Sequence, residues 1–151
     1  MKSVHQQGWT LLQLMLALAV LGVLVMLALP SHKSEIDKVK LNKAIKDVTM
    51  ISLALDDMRN DQGRLPDSLD QIGMGGMLDP WGHPYQYTNI QDARGKGSLR
   101  KDRNLVPINT DYDLYSMGPD GKSAGPLTAK SSQDDIIRAA NGSYIGLASD
   151  Y

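Results

Sequence analysis

The chain has 151 residues, with Lys+Arg 16 against Asp+Glu 17 and no cysteine. This near-neutral balance supplies no global basic field for nucleic acid, and the missing thiols exclude disulfides, thiolate catalysis and Cys-ligated zinc. Hydrophobic residues make up 42% of the sequence and Phe is absent, so once the apolar amino-terminal run is set aside only a modest single core remains.

From Trp9 to Leu29 only Thr10 and Gln13 are clearly polar. As a helix rising about 1.5 Å per residue, this run spans roughly 31 Å, the hydrocarbon thickness of a bilayer. A cleaved secretory signal is the competing reading, but the run exceeds the roughly 7–15 residues of a signal core. Pro30, Ser31 and His32 offer no small-x-small cleavage site after it, and Ala17 and Ala19, which have that spacing, lie inside it. Lys33, Lys38, Lys40 and Lys43 outweigh Lys2 across the run, so a positive-inside count opposes export of the carboxyl-terminal side, softened only by Glu35 and Asp37.

Beyond Pro30, Leu41, Ile45, Val48, Leu55 and Met58 recur at helical spacing with Ile51 beside them, which predicts an amphipathic helix over 31–61. Gly63 and Pro66 end it, Asp67 and Ser68 are placed to cap a short turn carrying Leu69 and Ile72, and residues 73–77 form a glycine-rich loop. The rest reads as short strands at Tyr85–Tyr87, Tyr112–Met117 and Tyr144–Leu147. Between the first two, Thr88–Thr110 is too long for a hairpin loop and is expected to carry structure of its own. Trp81, Tyr85 and Tyr87 are expected to pack the sheet against the long helix, giving an α+β fold.

Gly8 followed by WTLLQLMLALAVLGVLVMLALP resembles the leader and hydrophobic segment of type IV pilins and type II secretion pseudopilins. Further on, LDPWGHPYQY at 78–87, YDLYSMGPDGK at 112–122 and DDI at 134–136 resemble the carboxyl-terminal signature of the major pseudopilins. The resemblance leaves Thr88–Thr110 and an expanded loop, Ser123–Gln133, uncovered. It implies a type IV pilin-like fold in three parts: a leader at 1–8, a transmembrane helix at 9–30 and a periplasmic domain at 31–151, with its helix over 31–61 and its sheet and loops over 62–151. It implies cleavage between Gly8 and Trp9 by prepilin peptidase, N-methylation of Trp9, and a helix-bending proline at Pro30. Gln13 stands where the family carries a Glu that neutralises a neighbour's amino-terminal ammonium during filament assembly. An amide offers only a neutral hydrogen bond, roughly half as strong as a charge-assisted one.

The resemblance also implies one calcium ion, held by the Met117 carbonyl and the side chains of Asp120, Asp134 and Asp135. Calcium takes six to eight oxygens, and a turn built on Gly118, Pro119 and Gly121 leaves carbonyls free of a strand ladder. On the residues alone, PDG is more often a plain turn and DD more often a helix start than a metal site.

Other constellations dissolve on inspection. Gly121–Lys122–Ser123 ends like a phosphate-binding loop but has Ser116 where the first glycine is needed, and Asn109, Asp111, Asp113 and Asp120 have EF-hand-like spacing but Leu114 at the glycine position. GSYIG is not a nucleophile elbow, and His5, His32 and His83 are scattered, so no enzyme is expected. Arg94, Lys96, Arg100, Lys101 and Arg103 form one basic run, read as a solvated loop with DNA capture as the sharper alternative. The resemblance implies a structural subunit of a type II secretion pseudopilus, assembled with itself and other pseudopilins by an inner-membrane platform to push folded proteins outward. A type IV pilus subunit for adhesion, twitching or DNA uptake is the alternative.

Overall fold

The computed structural model describes residues 10–91 and 99–151, and only the backbone of residues 27–34. The chain divides into two compact units, Met1–Lys38 and Val39–Tyr151. The main helix, α1, runs over Leu11–Gln62.

In the first unit α1 starts with a reciprocal cap. Gln13 N–H donates to Thr10 Oγ1 at 3.4 Å, and Thr10 N–H donates to Gln13 Oε1 at 3.0 Å. This is the T-x-x-Q capping box; it gives Thr10 N–H its partner and adds to the bond that Gln13 N–H makes with Thr10 O at 3.0 Å. Every residue from Thr10 to Met26 is exposed. Among the described residues no helix is long and apolar enough to cross a membrane. The expected span runs past them, because Trp9 and the side chains of Leu27–Leu29 lie outside the described set.

In the second unit Ala44, Val48, Ile51 and Leu55 of α1 are fully buried, at the 4-3-4 spacing that aligns one face of a 3.6-residue helix. Gly63 ends α1 at φ 71°, its N–H donating to Arg59 O at 2.8 Å, as the sequence led one to expect. The short turn comes next as a 3-10 helix, Leu69–Ile72, but Ser68 makes no side-chain cap: its hydroxyl donates to Asp70 instead.

Four antiparallel strands form a meander: β1 (Gln86–Asn89), β2 (Tyr112–Ser116), β3 (Ile136–Ala139) and β4 (Tyr144–Leu147). Three match expectation within a residue or two, whereas β3 has no counterpart among the predicted strands. Its four residues are all buried, so it lacks the alternation that marks a half-exposed strand. The reason is a second covering layer. Tyr112, Leu114 and Ile136 join α1 in one core with Tyr85, while Ile137 and Ala139 face a second core with Ile108, Leu127 and Ala148. The later part of the 88–110 excursion therefore folds over the sheet face opposite α1.

Tyr85 and Tyr87 tie the sheet to α1's layer as expected. Tyr85 Oη donates to Asp47 Oδ2 at 2.9 Å, Tyr87 Oη donates to Pro66 O at 2.8 Å, and the Tyr87 ring lies 5.8 Å from that of Tyr112. Burial beside the Asp47 carboxylate pushes the Tyr85 hydroxyl well above its ordinary value.

Arg138 of β3 is almost fully buried and would be prohibitive without partners. Both terminal nitrogens donate to Asp111 at 2.8 Å, and the guanidinium lies 3.9 Å over the Tyr112 ring. Burial pushes the Asp111 carboxyl up, but the Arg138 hydrogen bonds, backbone N–H groups and the guanidinium charge outweigh it and hold it below its ordinary value. A carboxylate with a depressed folded value contributes stability above its unfolded value of 3.8 and loses it as pH falls through the folded value. Wild-type stability should therefore decline below about pH 4. Asp111→Asn should cost about 3 kcal/mol at neutral pH, the low end for breaking a buried pair, and flatten that acid slope. Melting curves of the full chain in detergent across pH check both.

Candidate functional site

The three signature segments meet at the end of β2. In the loop before β1, Asp79 is buried and its Oδ1 accepts the N–H groups of Trp81 at 3.0 Å and His83 at 2.9 Å, forming an Asx-type turn. Its Oδ2 accepts the Ser116 hydroxyl at 2.5 Å, and His83 Nδ1 lies 3.1 Å from Gly118 O. The 78–87 loop is thereby clamped to the turn after β2.

That turn admits little change. Gly118 and Gly121 have φ of 63° and 65°. A Cβ on Gly118 would lie 2.2 Å from Asp134 O, and one on Gly121 would lie 2.6 Å from His83 Nε2. The turn is thus held between the His83 ring and the Asp134 backbone. Asp120 N–H reaches Asp134 Oδ2 at 3.4 Å, and Asp120 Oδ1 accepts from Lys122 N–H at 2.8 Å. Asp120 and Asp134 share the wall of an open cleft of about 600 Å³, which Lys130 also lines. Met117, half-buried, opens the same turn.

Asp135 belongs to a different environment. Its side chain is 0% exposed, and Oδ2 accepts from Arg100 Nη2 at 2.6 Å and from Ser123 Oγ at 2.5 Å. Arg100 in turn is only 3% exposed. Its Nη1 donates to Ser123 Oγ and to Ala124 O, the latter at 3.1 Å, and its guanidinium lies 4.2 Å over the Tyr115 ring. Backbone bonds fix its approach: Arg100 N–H donates to Asp113 Oδ2 at 2.8 Å, and Ile108 N–H donates to Arg100 O at 3.1 Å. Burial pushes the Asp135 carboxyl up to about 6 against the lowering pull of Ser123 and Arg100, which leaves it ionised at neutral pH.

The four residues expected to share a calcium ion are thus divided. Among the described residues no three His, Cys, Asp or Glu side chains approach closely enough to hold a metal ion. Met117, Asp120 and Asp134 gather at one turn, while the Asp135 carboxylate turns toward Arg100.

The basic run also needs correction: Arg100 is not part of a solvated loop but a buried partner of Asp135. Lys101 and Asp102 enter isolated bridges with Pro126 and Leu105, and Arg94 and Lys96 lie outside the described residues. Of the other named positions, Gly8 and Trp9 also lie outside them; Pro30 falls within the helical backbone of α1, and Gln13 in its cap. Sequence reasoning misses Arg100 as a site residue because 35 positions separate it from Asp135. The available signal is an arginine in a stretch that the signature leaves uncovered, in a chain with an adjacent acidic pair.

Gly118→Ala tests the turn. It forces a Cβ into the Asp134 carbonyl and an L-residue into the left-handed region, which alone costs about 1–2 kcal/mol. Chemical denaturation should show a loss above that figure, and a loss under about 0.5 kcal/mol would mean that the turn and the 134–135 backbone are not in close contact.

No protein-family model matches the chain and no solved structure matches it. Curated relatives do. The type II secretion system core protein G of Pectobacterium carotovorum subsp. carotovorum is 30% identical over 136 residues, covering 87% of this chain and 83% of that protein. The protein of the same name from Dickeya chrysanthemi is 30% identical, covering 87% and 85% of the two chains. That from Pseudomonas aeruginosa is 29% identical, covering 83% and 92%. Matched along most of both lengths, with the helix and antiparallel sheet in place, the chain belongs to the family of type II secretion system core protein G, the major pseudopilins.

Proposed function

We propose that this pseudopilin is anchored in the bacterial inner membrane by the amino-terminal part of α1, with residues 31–151 in the periplasm, and is drawn from that store into a pseudopilus. The observation that carries the reading is a helix with two surroundings. From Leu11 to Met26 its large apolar side chains are each 53–79% exposed, whereas further along Ala44, Val48, Ile51 and Leu55 are fully buried in the chain's own core. An apolar run of that length left in water would be strongly unfavourable, and lipid or the helices of neighbouring subunits supply the cover that the described residues of this chain do not. The Thr10–Gln13 box fits the same setting, because it closes polar groups on one another at a helix start that enters an apolar medium.

On this reading prepilin peptidase cuts between Gly8 and Trp9, the new amino group on Trp9 is methylated, and an assembly platform adds the subunit to a filament with its own kind and other pseudopilins. Pro30 allows the helix to bend as subunits pack. The growing filament pushes folded proteins toward the outer membrane.

Processing is checked by intact mass of the protein extracted from membranes. The expected amino terminus is Trp9, methylated; a terminus inside the apolar run, or a product lacking residues 9–29, would contradict the reading.

Gln13 supports a second test. Glu at this position would keep the capping box, since a carboxylate accepts the Thr10 N–H equally well and favours a helix start. Gln13→Glu therefore changes charge with the cap preserved. A buried carboxylate costs about 2.5–3.5 kcal/mol on insertion scales unless a neighbour's ammonium meets it, so the native amide favours the monomer in the bilayer and weak self-assembly. The variant should give more sheared filament when produced with its assembly machinery, and an unchanged or lower yield would show that charge pairing here does not limit assembly.

A further inference from the structure

The calcium implied by the family finds a poor fit in this chain. Calcium needs six to eight oxygens, several of them anionic. Asp120 and Asp134 lie together at the cleft, but Lys130 lines it with them and Asp135 is turned away. Asp135 Oδ2 is already shared by a guanidinium and a hydroxyl, and only Oδ1, buried without a hydrogen-bond partner, is left for any further ligand. A divalent ion on that atom would put two cations on opposite edges of one carboxylate in a site removed from water, where their repulsion is least screened.

We propose that the Arg100 guanidinium takes the place of the calcium ion, so that the carboxyl-terminal loops of this pseudopilin are organised without metal. An arginine is suited to the exchange. It stays protonated at any working pH and presents several donors in a fixed plane, so it acts as a resident cation with directional bonds. Here one guanidinium gathers the Asp135 carboxylate, the Ser123 hydroxyl, the Ala124 carbonyl and the face of Tyr115. These groups come from the expanded loop, the acidic pair and the sheet, so both cations would fasten the same acidic pair, the ion to the 117–120 turn and the guanidinium to the loop that follows it and to β2.

The origin of the parts supports the exchange. Arg100 lies in the 88–110 excursion, and Ser123 and Ala124 in the expanded loop, the two stretches that the pseudopilin signature leaves uncovered. The two stretches also pair with each other through the backbone: Lys101 N–H donates to Gly125 O at 3.0 Å and Leu127 N–H to Lys101 O at 2.8 Å. Ser132 closes the loop from inside, its hydroxyl accepting Ala124 N–H and donating to Ala124 O, both at 2.8 Å. One uncovered stretch thus brings the cation, and the other brings the oxygens that share it with Asp135.

The inference rests on membership of the pseudopilin family, but its readout does not involve assembly, so its failure is separable from failure of the filament reading. The full chain in detergent is melted with about 1 mM calcium, at or above the dissociation constants of extracellular calcium modules, and with a chelator. Wild-type midpoints should coincide; a midpoint raised by calcium overturns the proposal, as does stoichiometric calcium uptake in equilibrium dialysis. Arg100→Lys keeps the charge but loses the planar fork, and should melt several degrees lower in both buffers. An unchanged midpoint for that variant would also overturn it. Should Arg100→Lys not fold, Ser123→Ala removes one shared donor and should show a smaller, equally calcium-independent drop, and no drop would count against the proposal.

Discussion

A guanidinium and a carboxylate, both withdrawn from water, hold the carboxyl-terminal half of this pseudopilin together. Neither Arg100 nor Asp135 could be buried alone, because an unpaired ion in a protein interior costs several kcal/mol. Once paired, each becomes the other's anchor, and the segments that carry them lose the freedom to leave. The excursion then covers the outer face of β2 and β3, the expanded loop closes against the excursion, and the second core of Ile108, Leu127, Ile137, Ala139 and Ala148 can form beneath them. Arg138 and Asp111 repeat the device on the other side of the sheet, where Arg59 of α1 also reaches Asp111 at 3.5 Å.

The composition of α1 changes along its length. Along its first part the side chains are apolar all round, so no single face is preferred and a surrounding apolar medium suits it. Further on the apolar positions narrow to a stripe, and that stripe buries itself against the sheet. The loop at 78–87 and the turn after β2 then lock to one another through Asp79, Ser116, His83 and Gly118, which explains why motifs far apart in sequence belong to one signature.

Much of this is legible in the residues. The stripe of α1, its glycine stop, three of the four strands and the packing of Tyr85 and Tyr87 arise from periodicity and turn chemistry, which act locally. β3 is not legible, because Ile136 and Ile137 are apolar toward two different cores and the buried Arg138 reads as a surface residue. The Asx turn at Asp79 and the Thr10–Gln13 box are short-range patterns that side-chain hydrogen-bonding capacity alone would reveal. The Arg100–Asp135 pair is another matter. Its partners come from distant segments, and a run of basic residues looks the same on paper whether one member is buried or all are solvated. The acidic pair misleads for a related reason: Asp134 sits in a turn at the cleft, whereas Asp135 leads into β3 and faces Arg100, so two adjacent aspartates serve different partners.

A double-mutant cycle on this pair is the most direct test. Arg100→Met, Asp135→Asn and the double variant, each unfolded chemically as the full chain in detergent, isolate the interaction between the two side chains. If the pair is the buried anchor of the carboxyl-terminal loops, each single change costs about 3–5 kcal/mol, and the double change costs far less than their sum, leaving a coupling of at least about 2 kcal/mol. Additive losses, with a coupling within the 0.2–1 kcal/mol or so of an exposed ion pair, would contradict it.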